Sequence, residues 1–359
     1  MSLNARFYPL TISEVRRETA DAVSLLFDMP DDMAEKFAFE AGQYLTLRAD
    51  IDGQDVRRTY SLCTAPSEKK WRVAIKTMPG GVFSSWANSK LKAGQMLDVL
   101  PPMGRFTAPT GEGGPHYVAI AGGSGITPVI SILKDRLDAD HEARVTLLYG
   151  NRDARSIMFL EELAGLKDRY MVRFELYHVL EDEIEDVELF NGRLDRAKCE
   201  EFLSGLVDPA EVKCFFVCGP GAMMDAVEEA LKAKDVSAER IRIERFTTTP
   251  PNAQQRAQSE ALHARAKGTQ LLVTLDGRQS RVSFDPKSDS ILDSVQAAGL
   301  HAPYACRGGV CTTCRAKVIK GMVAMMKNYG LTEDEVEKGF ILACQAVPTS
   351  EEVTLSFDV

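Results

Sequence analysis

Four of the eight cysteines have a spacing that suits an iron–sulfur cluster. Three of them fall within nine residues and the fourth follows after a long gap, in the order Cys306, Cys311, Cys314 and Cys344. A Cys-x4-Cys-x2-Cys run with a distant fourth cysteine is the plant-type arrangement for a 2Fe–2S cluster. Gly308 and Gly309 within the run let backbone amides approach the inorganic sulfides. We therefore predict that these four thiolates bind two irons.

A structural zinc site is the alternative for the same thiols. Such sites usually take their cysteines as two closely spaced pairs, whereas this chain offers a single Cys-x2-Cys. The remaining cysteines are dispersed along the chain, and a cytosolic protein keeps its thiols reduced. The spacing thus favours the iron–sulfur cluster over zinc and over disulfides.

Two glycine-containing runs suit a nicotinamide dinucleotide. Residues 122–128, GGSGITP, separate a predicted strand from a predicted helix, so their amides and the helix dipole can hold a pyrophosphate. Cys218-Gly219-Pro220 ends another predicted strand, at the edge where parallel sheets bind ligands. Each run has a plainer interpretation, a tight strand-to-helix turn for the first and a buried core thiol for Cys218.

Two short runs near the N-terminus could hold a flavin dinucleotide. Arg58-Thr59-Tyr60-Ser61 offers a cation for the pyrophosphate and an aromatic face for the ring. A predicted turn, Gly80-Gly81-Val82-Phe83-Ser84, offers amides to the phosphate oxygens. Ordinary surface alternation along a strand is the alternative for the first run.

Two kinds of segment must position the flavin and nicotinamide residues. Short alternating apolar stretches, with strands predicted at 56–63, 71–77 and 96–100 and closed by Pro101-Pro102, indicate an antiparallel β-barrel. From Tyr117 onward strands alternate with helices, predicted near 127–138, 157–165 and 221–233, which indicates a parallel sheet covered by helices.

The C-terminal part begins after a polar segment. Residues 247–266 contain two prolines and no long apolar run, so we predict an interdomain linker, with a surface helix as the alternative. A hairpin across Asp276-Gly277 and a helix near 290–298 follow, the latter with Asp289 or Ser290 as N-cap.

The bulk composition excludes some functions. A chain of 359 residues has room for two or three domains, and its formal net charge of −9 argues against nucleic acid or an anionic membrane as principal partner. Charged residues interrupt the N-terminal stretch, and glycines interrupt the most apolar segment, so neither a signal peptide nor a membrane span is expected. We expect a cytoplasmic protein.

The order of these motifs resembles that of the ferredoxin–NADP reductase superfamily joined to a C-terminal ferredoxin domain, over nearly the whole chain. The resemblance implies a multidomain oxidoreductase. Such a protein would have an antiparallel β-barrel FAD domain, here at 1–111, and an α/β parallel-sheet NAD(P) domain, here at 112–246. The linker at 247–266 then leads to an α+β, β-grasp plant-type 2Fe–2S ferredoxin domain at 267–359.

The resemblance also implies roles for individual residues. Flavin binding falls to Arg58, Thr59, Tyr60, Ser61, Ile75, Lys76, Gly80, Gly81, Val82, Phe83, Ser84 and the late aromatic Phe246. Nucleotide binding falls to Gly123, Gly125, Thr127, Arg152, Cys218, Gly219, Pro220 and Met223. Hydride transfer needs no general acid or base, so the catalytic residues Ser61, Cys218 and Glu244 are predicted to orient rings or tune potential.

Within the superfamily, the chain resembles reductases that serve phenylacetyl-CoA epoxidases. The similar runs include RRTYSLC, HVLEDEIEDVELFNGRLD, CGPGAMMD and PYACRGGVCTTC. This implies electron transfer from NADPH, through FAD and the 2Fe–2S cluster, to a di-iron oxygenase complex in phenylacetate catabolism. A reductase for a Rieske-type or steroid-hydroxylating oxygenase is the alternative, and a non-enzymatic iron–sulfur redox sensor is another.

The choice between NADPH and NADH depends on two charged groups. Glu181, Asp182 and Glu183 follow the strand that ends near Val179 and would repel a 2′-phosphate, whereas Arg152 and Arg155 would attract it. Superfamily precedent favours NADPH, with NADH as the alternative.

Overall fold

The structure, a computed structural model, describes residues 6–109, 113–184, 186–246, 253–285 and 288–358. The chain forms two compact units, of which the first is Phe7–Phe246 and the second contains the described residues that follow it. The first unit holds two sheets and the second holds one larger sheet with a two-stranded one.

The first sheet is an antiparallel barrel. Its elements are β1 (Tyr8–Thr19), β2 (Ala22–Phe27), β3 (Tyr44–Ile51), β4 (Gln54–Ser61), β5 (Trp71–Lys76), the helix α1 (Val82–Lys90) and β6 (Met96–Met103). The strand order is β4-β3-β6-β1-β2-β5, and every pairing is antiparallel. A bridge between Leu62 and Val73 joins the two edge strands, so the sheet closes on itself. The predicted barrel is confirmed.

Two local predictions in the barrel are wrong. The last strand does not end before Pro101-Pro102 but runs on to Met103. The pairing of β6 with β3 shifts register between Tyr44 and Thr46, opposite these prolines. Proline lacks an N–H for the ladder and is tolerated at such a bulge. The predicted turn at Gly81–Ser84 is instead the start of α1, with Gly81 as N-cap.

The second sheet is parallel and covered by helices, as predicted. Its elements are β7 (His116–Gly122), α2 (Ile126–Ala139), β8 (Arg144–Asn151), α3 (Leu160–Tyr170), β9 (Phe174–Leu180), α4 (Arg196–Gly205), β10 (Val212–Cys218), α5 (Gly221–Ala233) and β11 (Ile241–Glu244). The strand order is β11-β10-β7-β8-β9, all parallel. The order reverses beside β7, which places a ligand crevice at the carboxyl ends of β7 and β10.

One helix of this sheet lies later in the chain than predicted. The sequence predicts a helix near 157–165, whereas α3 runs from Leu160 to Tyr170. Phe159 before it has φ of 60°, a left-handed conformation, and is 3% exposed. Tertiary packing of this aromatic ring therefore overrides the local helix propensity and delays the start of the helix.

The second unit contains a mixed sheet. Its elements are α6 (Ala253–Ala266), β12 (Gln270–Leu275), β13 (Arg278–Ser283), α7 (Ile291–Ala297), β14 (Arg315–Lys320), β15 (Val323–Met325), α8 (Glu333–Glu337), β16 (Phe340–Leu342), β17 (Ala346–Pro348) and β18 (Glu352–Ser356). The order β13-β12-β18-β14-β16 places the parallel pair β12 and β18 at the centre. This is the predicted β-grasp, with α7 buried against the sheet.

The predicted hairpin and helix of this unit are confirmed in detail. β12 and β13 pair across Asp276-Gly277, both of which have positive φ. Ser290 is the N-cap of α7, and its Oγ accepts a hydrogen bond from the Asp293 backbone N–H at 3.2 Å. Because a hydroxyl at this position satisfies an otherwise unpaired helix N–H, Ser290 and not Asp289 begins the helix.

The segment predicted as a linker contains α6. Leu262 and Ala266, in the last part of that helix, pack against the hydrophobic core of the second unit. The alternative interpretation, a surface helix, describes this stretch better. Among the described residues, every helix is too short or too polar to cross a lipid bilayer.

Candidate functional site

The cysteine loop of the second unit is built for sulfur ligands. The backbone N–H groups of Gly308 and Cys311 each donate to Cys306 Sγ at 3.3 Å, and that of Cys306 donates to Cys311 Sγ at 3.4 Å. Gly309 has φ of 76°, and a Cβ there would lie 3.0 Å from the Lys327 carbonyl oxygen. Glycine is therefore required for the loop to fold around the thiols.

The four predicted ligands occur as two pairs. A hydrogen bond from Cys311, aided by backbone N–H groups, lowers the pKa of Cys306 to about 5. A hydrogen bond from Cys314 likewise lowers the pKa of Cys344. Within the described residues, no three His, Cys, Asp or Glu side chains converge on a single ion. Two pairs of thiols match the four cysteine ligands that a 2Fe–2S cluster takes, two for each iron.

Two further residues support this loop, in roles that the spacing of the cysteines does not reveal. Gln345 Nε2 donates to the Arg307 carbonyl oxygen at 2.8 Å and so ties the loop to the segment that carries Cys344. The Arg307 guanidinium bonds Asp293 and Gln296 on α7 and lies 4.5 Å from the centroid of the Tyr304 ring. These contacts fix the backbone of Arg307, which has φ of 53°.

In the barrel, β4 and α1 bring together the predicted flavin residues. Tyr60 on β4 lies against Phe83 on α1, with ring centroids 5.6 Å apart, and burial raises the pKa of its hydroxyl. Arg58, two positions earlier on the same face of β4, is exposed, and its guanidinium donates to the Arg57 carbonyl oxygen at 2.7 Å. A half-buried aromatic ring beside an exposed cation fits an isoalloxazine ring and its pyrophosphate.

The start of α1 supplies the amides that were predicted to come from a turn. Ser84 Oγ accepts from the Met78 N–H at 3.1 Å and thereby holds the strand-to-helix connection. The N–H groups of a first helical turn have no partner within their helix, so this end suits phosphate oxygens. Gly80 has φ of 72° with no atom within 4 Å of a Cβ built there, which leaves room at this approach.

Two residues that were predicted to bind flavin, Ile75 and Lys76, already have partners within the barrel domain. The Ile75 carbonyl oxygen accepts from Asn88 Nδ2 at 3.0 Å, and Lys76 Nζ lies 3.8 Å from Asp21 Oδ2. Thr59 and Ser61 point to the opposite face of β4 from Tyr60, and Ser61 is 2% exposed. Phe246, two residues beyond β11, is 38% exposed, which would let its ring contact a bound flavin.

At the crevice of the parallel sheet the two glycine-containing runs touch each other. A Cβ on Gly125 would lie 2.0 Å from the Cys218 carbonyl oxygen, and one on Gly219 would lie 2.9 Å from the Gly122 nitrogen. Met223 and Pro220 close the other side, each 2.7 Å from a Cβ built on Gly122. The runs thus form one loop pair at the ligand-binding edge of the sheet.

Two side-chain hydrogen bonds fix the backbone of the run at residues 122–128. Thr127 Oγ1 donates to the Ser124 carbonyl oxygen at 3.0 Å, and Tyr149 Oη donates to that of Gly123 at 2.9 Å. Tyr149 lies on the neighbouring strand β8, so the sequence run could not reveal it. Gly123 has φ of 51° and no atom within 4 Å of a Cβ built there, which leaves its outer face open to a pyrophosphate.

Cys218 and Glu244 meet at the carboxyl ends of adjacent parallel strands. They are register partners of β10 and β11. Glu244 is only partly buried as a residue, but its Oε2 atom is fully buried and has no hydrogen-bond partner among the described residues. Burial raises the pKa of the Glu244 carboxyl to about 8, and burial and this carboxylate raise that of Cys218. A buried carboxyl oxygen without a hydrogen-bond partner therefore lies beside Cys218, at the same edge of the sheet as the loop pair.

This carboxyl makes a pH-dependent contribution to stability. Between its ordinary pKa of 4.5 and about 8, the folded protein binds a proton that the unfolded chain has lost. The free energy of unfolding therefore falls as pH rises through that window, by at most about 1.4 kcal/mol per pH unit. We expect Glu244→Gln to remove this slope in denaturant unfolding, whereas Glu239→Gln, an exposed position nearby, keeps it. Equal slopes for the two variants would contradict the assignment.

Charged groups surround the end of β8 and β9. The exposed Arg152 pairs with Asp153 at 3.5 Å, and Glu181 pairs with Arg193 at 3.0 Å. The Glu183 carboxylate accepts from the Ala154 N–H at 2.9 Å and so lies against the loop that carries Arg152. Acidic and basic groups thus lie together at the ends of β8 and β9. The role of Arg152 in nucleotide binding stays a prediction.

Comparison with known proteins identifies three domains in the predicted order. Residues 9–108 match the oxidoreductase FAD-binding domain, residues 119–229 the oxidoreductase NAD-binding domain, and residues 273–349 the 2Fe-2S iron-sulfur cluster binding domain. The cofactors predicted from the motifs therefore have matching domains, and the chain is an oxidoreductase of the flavin and iron–sulfur type.

Several curated proteins are similar to the chain over nearly its whole length. A component of the 1,2-phenylacetyl-CoA epoxidase of Escherichia coli K12 is 39% identical over 98% of both chains. The 3-ketosteroid-9-alpha-monooxygenase ferredoxin reductase component of Rhodococcus rhodochrous is 35% identical over 97% of this chain and 96% of its own. The solved structure of phthalate dioxygenase reductase shares the fold, with a TM-score of 0.61, 24% identity and 98% coverage of both chains.

The similarity to these relatives covers nearly the whole chain, including the segments that hold its three candidate sites. Several relatives are named as reductase components or reductase subunits of monooxygenases. The chain therefore belongs to the family of oxygenase reductases in which an FAD-binding and an NAD-binding domain precede a 2Fe–2S iron–sulfur domain.

Proposed function

We propose that this chain is the reductase of a phenylacetyl-CoA epoxidase-type oxygenase and passes electrons to it from NADPH. The observation that carries the proposal is the similarity to the Escherichia coli epoxidase component, which spans all three sites without a gap in domain order. A bound flavin accepts two electrons as hydride and releases them singly to a 2Fe–2S cluster, which carries one.

The residues of the chain bind and orient the reactants. Tyr60, packed on the fully buried Phe83, provides an apolar wall for the flavin ring, and the start of α1 receives a phosphate. The loop pair at Gly123 and Cys218 receives the nucleotide. The Glu244 carboxyl, protonated below about pH 8, can donate a hydrogen bond to a ring that enters the crevice. The catalytic role of Glu244 is proposed on this basis. Those of Ser61 and Cys218, whose side chains are both buried, are proposed from the resemblance of the runs that contain them.

The domain boundaries are also part of the proposal. We place the FAD domain at 1–111, the NAD(P) domain at 112–246 and the ferredoxin domain at 267–359, with 247–266 between them. Leu262 and Ala266, at the end of this connecting segment, pack on the core of the second unit, so the segment is held against the ferredoxin domain that follows it.

The partner is proposed to be a di-iron oxygenase complex in the cytoplasm. The name of the Escherichia coli relative supports an epoxidase, and the free cysteines of this chain suit a reducing compartment. The preference for NADPH rests on Arg152 and Arg155 at the end of β8, with the neighbouring Glu183 acting against it.

Anaerobic titration of the purified protein with NADPH and with NADH tests the proposal. We expect NADPH to bleach the flavin bands and then the cluster bands, at lower concentration than NADH. Addition of the epoxidase oxygenase components and phenylacetyl-CoA then reoxidises the protein under air. If NADPH fully reduces the protein but those components do not accelerate its reoxidation, the epoxidase assignment is contradicted.

Reduction of a steroid-hydroxylating oxygenase is the second candidate. It is supported by the 35% identity to the ferredoxin reductase component of the Rhodococcus 3-ketosteroid monooxygenase. Co-purification from cells grown on phenylacetate and from cells grown on a steroid separates the two. Recovery of a Rieske-type oxygenase in place of the epoxidase components would favour this second function.

A further inference from the structure

Helix α2 runs between the nucleotide loop and the segment that follows the flavin strand. It begins at Ile126, directly after Gly125, and its middle contacts residues 63–68 of the barrel domain. Ser131 Oγ, which is fully buried, donates to the Thr64 carbonyl oxygen at 2.7 Å and accepts from the Gly42 N–H at 3.4 Å. One helix therefore links both proposed binding regions.

Four charged side chains extend this contact and form what we call the interdomain charge cluster. The barrel domain contributes two of them and the parallel-sheet domain the other two, namely Glu68, Arg72, Lys134 and Glu162. Arg72 Nη2 donates to both Glu162 oxygens, at 2.8 and 2.7 Å. Lys134 pairs with Glu162 and, at 3.0 Å, with Glu68 Oε1. Two of these three ion pairs, Arg72 with Glu162 and Lys134 with Glu68, cross the domain boundary.

The cluster is largely removed from water. Side-chain exposure is 8% for Lys134, 16% for Arg72, 25% for Glu162 and 30% for Glu68. Two positive and two negative charges compensate one another, which is the condition for burying them. Both Arg72 and Lys134 pair with Glu162, so removal of that carboxylate leaves excess positive charge in a buried place. A buried charge without its partner strongly destabilises the contact between the two domains.

The electrostatics agree with a tightly held carboxylate. Burial alone would raise the pKa of Glu162, but the neighbouring Arg72 and Lys134 outweigh it and hold that pKa below its ordinary value. Glu162 is therefore ionised at neutral pH and draws both cations towards itself from opposite sides of the boundary.

We propose that the interdomain charge cluster sets the position of the nucleotide loop relative to the flavin strand and thereby controls the rate of hydride transfer. The inference rests on the proposed flavin and nucleotide sites. Glu162, Arg72 and Lys134 are positioning residues in this account, because they act through α2 and the 63–68 segment and not on the reacting atoms. Hydride transfer is steeply sensitive to such positions, since a misplacement of about 1 Å can lower a rate by about 100-fold.

The test compares two neighbouring glutamates in the flavin-containing protein. Glu162→Gln keeps the shape of the side chain and removes its charge. Glu161→Gln, on the same helix, is the matched control. The Glu161 side chain is 89% exposed, so its ion pair with Arg16 of the barrel domain, at 3.4 Å, is a weak surface pair. In anaerobic stopped flow with NADPH, we expect Glu162→Gln to reduce its flavin about 10- to 100-fold more slowly, with Kd for NADPH close to wild type.

A spectroscopic measurement distinguishes positioning from general destabilisation. The long-wavelength absorbance that arises when a nicotinamide ring stacks on a flavin should weaken in Glu162→Gln and stay unchanged in Glu161→Gln. Arg72→Lys keeps the charge but loses the two-pronged bond, so it should fall between wild type and Glu162→Gln in both measurements. If Glu162→Gln does not fold, Arg72→Lys decides the outcome alone.

The outcomes separate this inference from the proposed function. A folded Glu162→Gln, or Arg72→Lys in its place, that equals the Glu161→Gln control in rate and in stacking absorbance overturns the role of the cluster. A wild-type protein whose flavin is not reduced by NADPH overturns the proposed function instead.

Discussion

Cys306→Ala is expected to abolish electron transfer to one-electron acceptors and to leave reduction of the flavin intact. A plant-type cluster needs four thiolates, and Cys306 accepts two of the backbone N–H bonds that shape the loop. We expect the cluster absorbance to disappear and the reduction of cytochrome c by NADPH to fall to background. Reduction of ferricyanide, which takes electrons from a flavin directly, should stay within about twofold of wild type, since it does not depend on the four ligands.

A matched cysteine variant separates loss of the cluster from loss of a thiol. Cys199 on α4 is fully buried in the parallel-sheet domain and belongs to neither thiol pair. Cys199→Ala should retain the cluster bands and both activities, with a loss of stability of about 1 kcal/mol. Normal cytochrome c reduction by a cluster-free Cys306→Ala protein would show that the electrons leave by another route.

Gly125→Ala is expected to cause the second large effect, on the reaction with the nucleotide. The added methyl group would lie 2.0 Å from the Cys218 carbonyl oxygen, so the two runs of the loop pair must separate. Because the pyrophosphate and the reacting ring would both shift, we expect flavin reduction by NADPH to slow by about 100-fold. Chemical reduction of the same protein by dithionite should proceed to completion.

The control for Gly125→Ala is a glycine with space around it. Gly165 lies within α3, and no atom lies within 4 Å of a Cβ built there. Gly165→Ala should leave the rate of flavin reduction unchanged and stabilise the helix by up to about 1 kcal/mol. A Gly125→Ala protein as fast as Gly165→Ala would mean that the loop pair does not position the nucleotide.

The features that the sequence predicts well are those encoded by local spacing. The cysteine run, the glycine run before α2 and the alternating strands of the barrel each depend on residues within about ten positions, so periodicity and turn chemistry are sufficient. Ser290 as N-cap and the Asp276-Gly277 hairpin belong to the same class.

The features that the sequence could not reveal depend on strand order and tertiary packing. Cys218 and Glu244 meet only because β11 is added beside β10. Arg72 and Glu162 are 90 positions apart in the chain and meet across a domain boundary. The continuation of β6 through Pro101-Pro102 required the bulge against β3. In each case the deciding partner lies outside any local sequence window.

The most direct test of the account is anaerobic stopped flow of the holoprotein with NADPH, with freeze-quench paramagnetic resonance on matched samples, before and after removal of the flavin. We expect the signal of the reduced cluster to follow bleaching of the flavin and never to precede it. Flavin-depleted protein with an intact cluster should give no signal until flavin is restored. A cluster that NADPH reduces at the normal rate without flavin would contradict the proposed path of electrons through the chain.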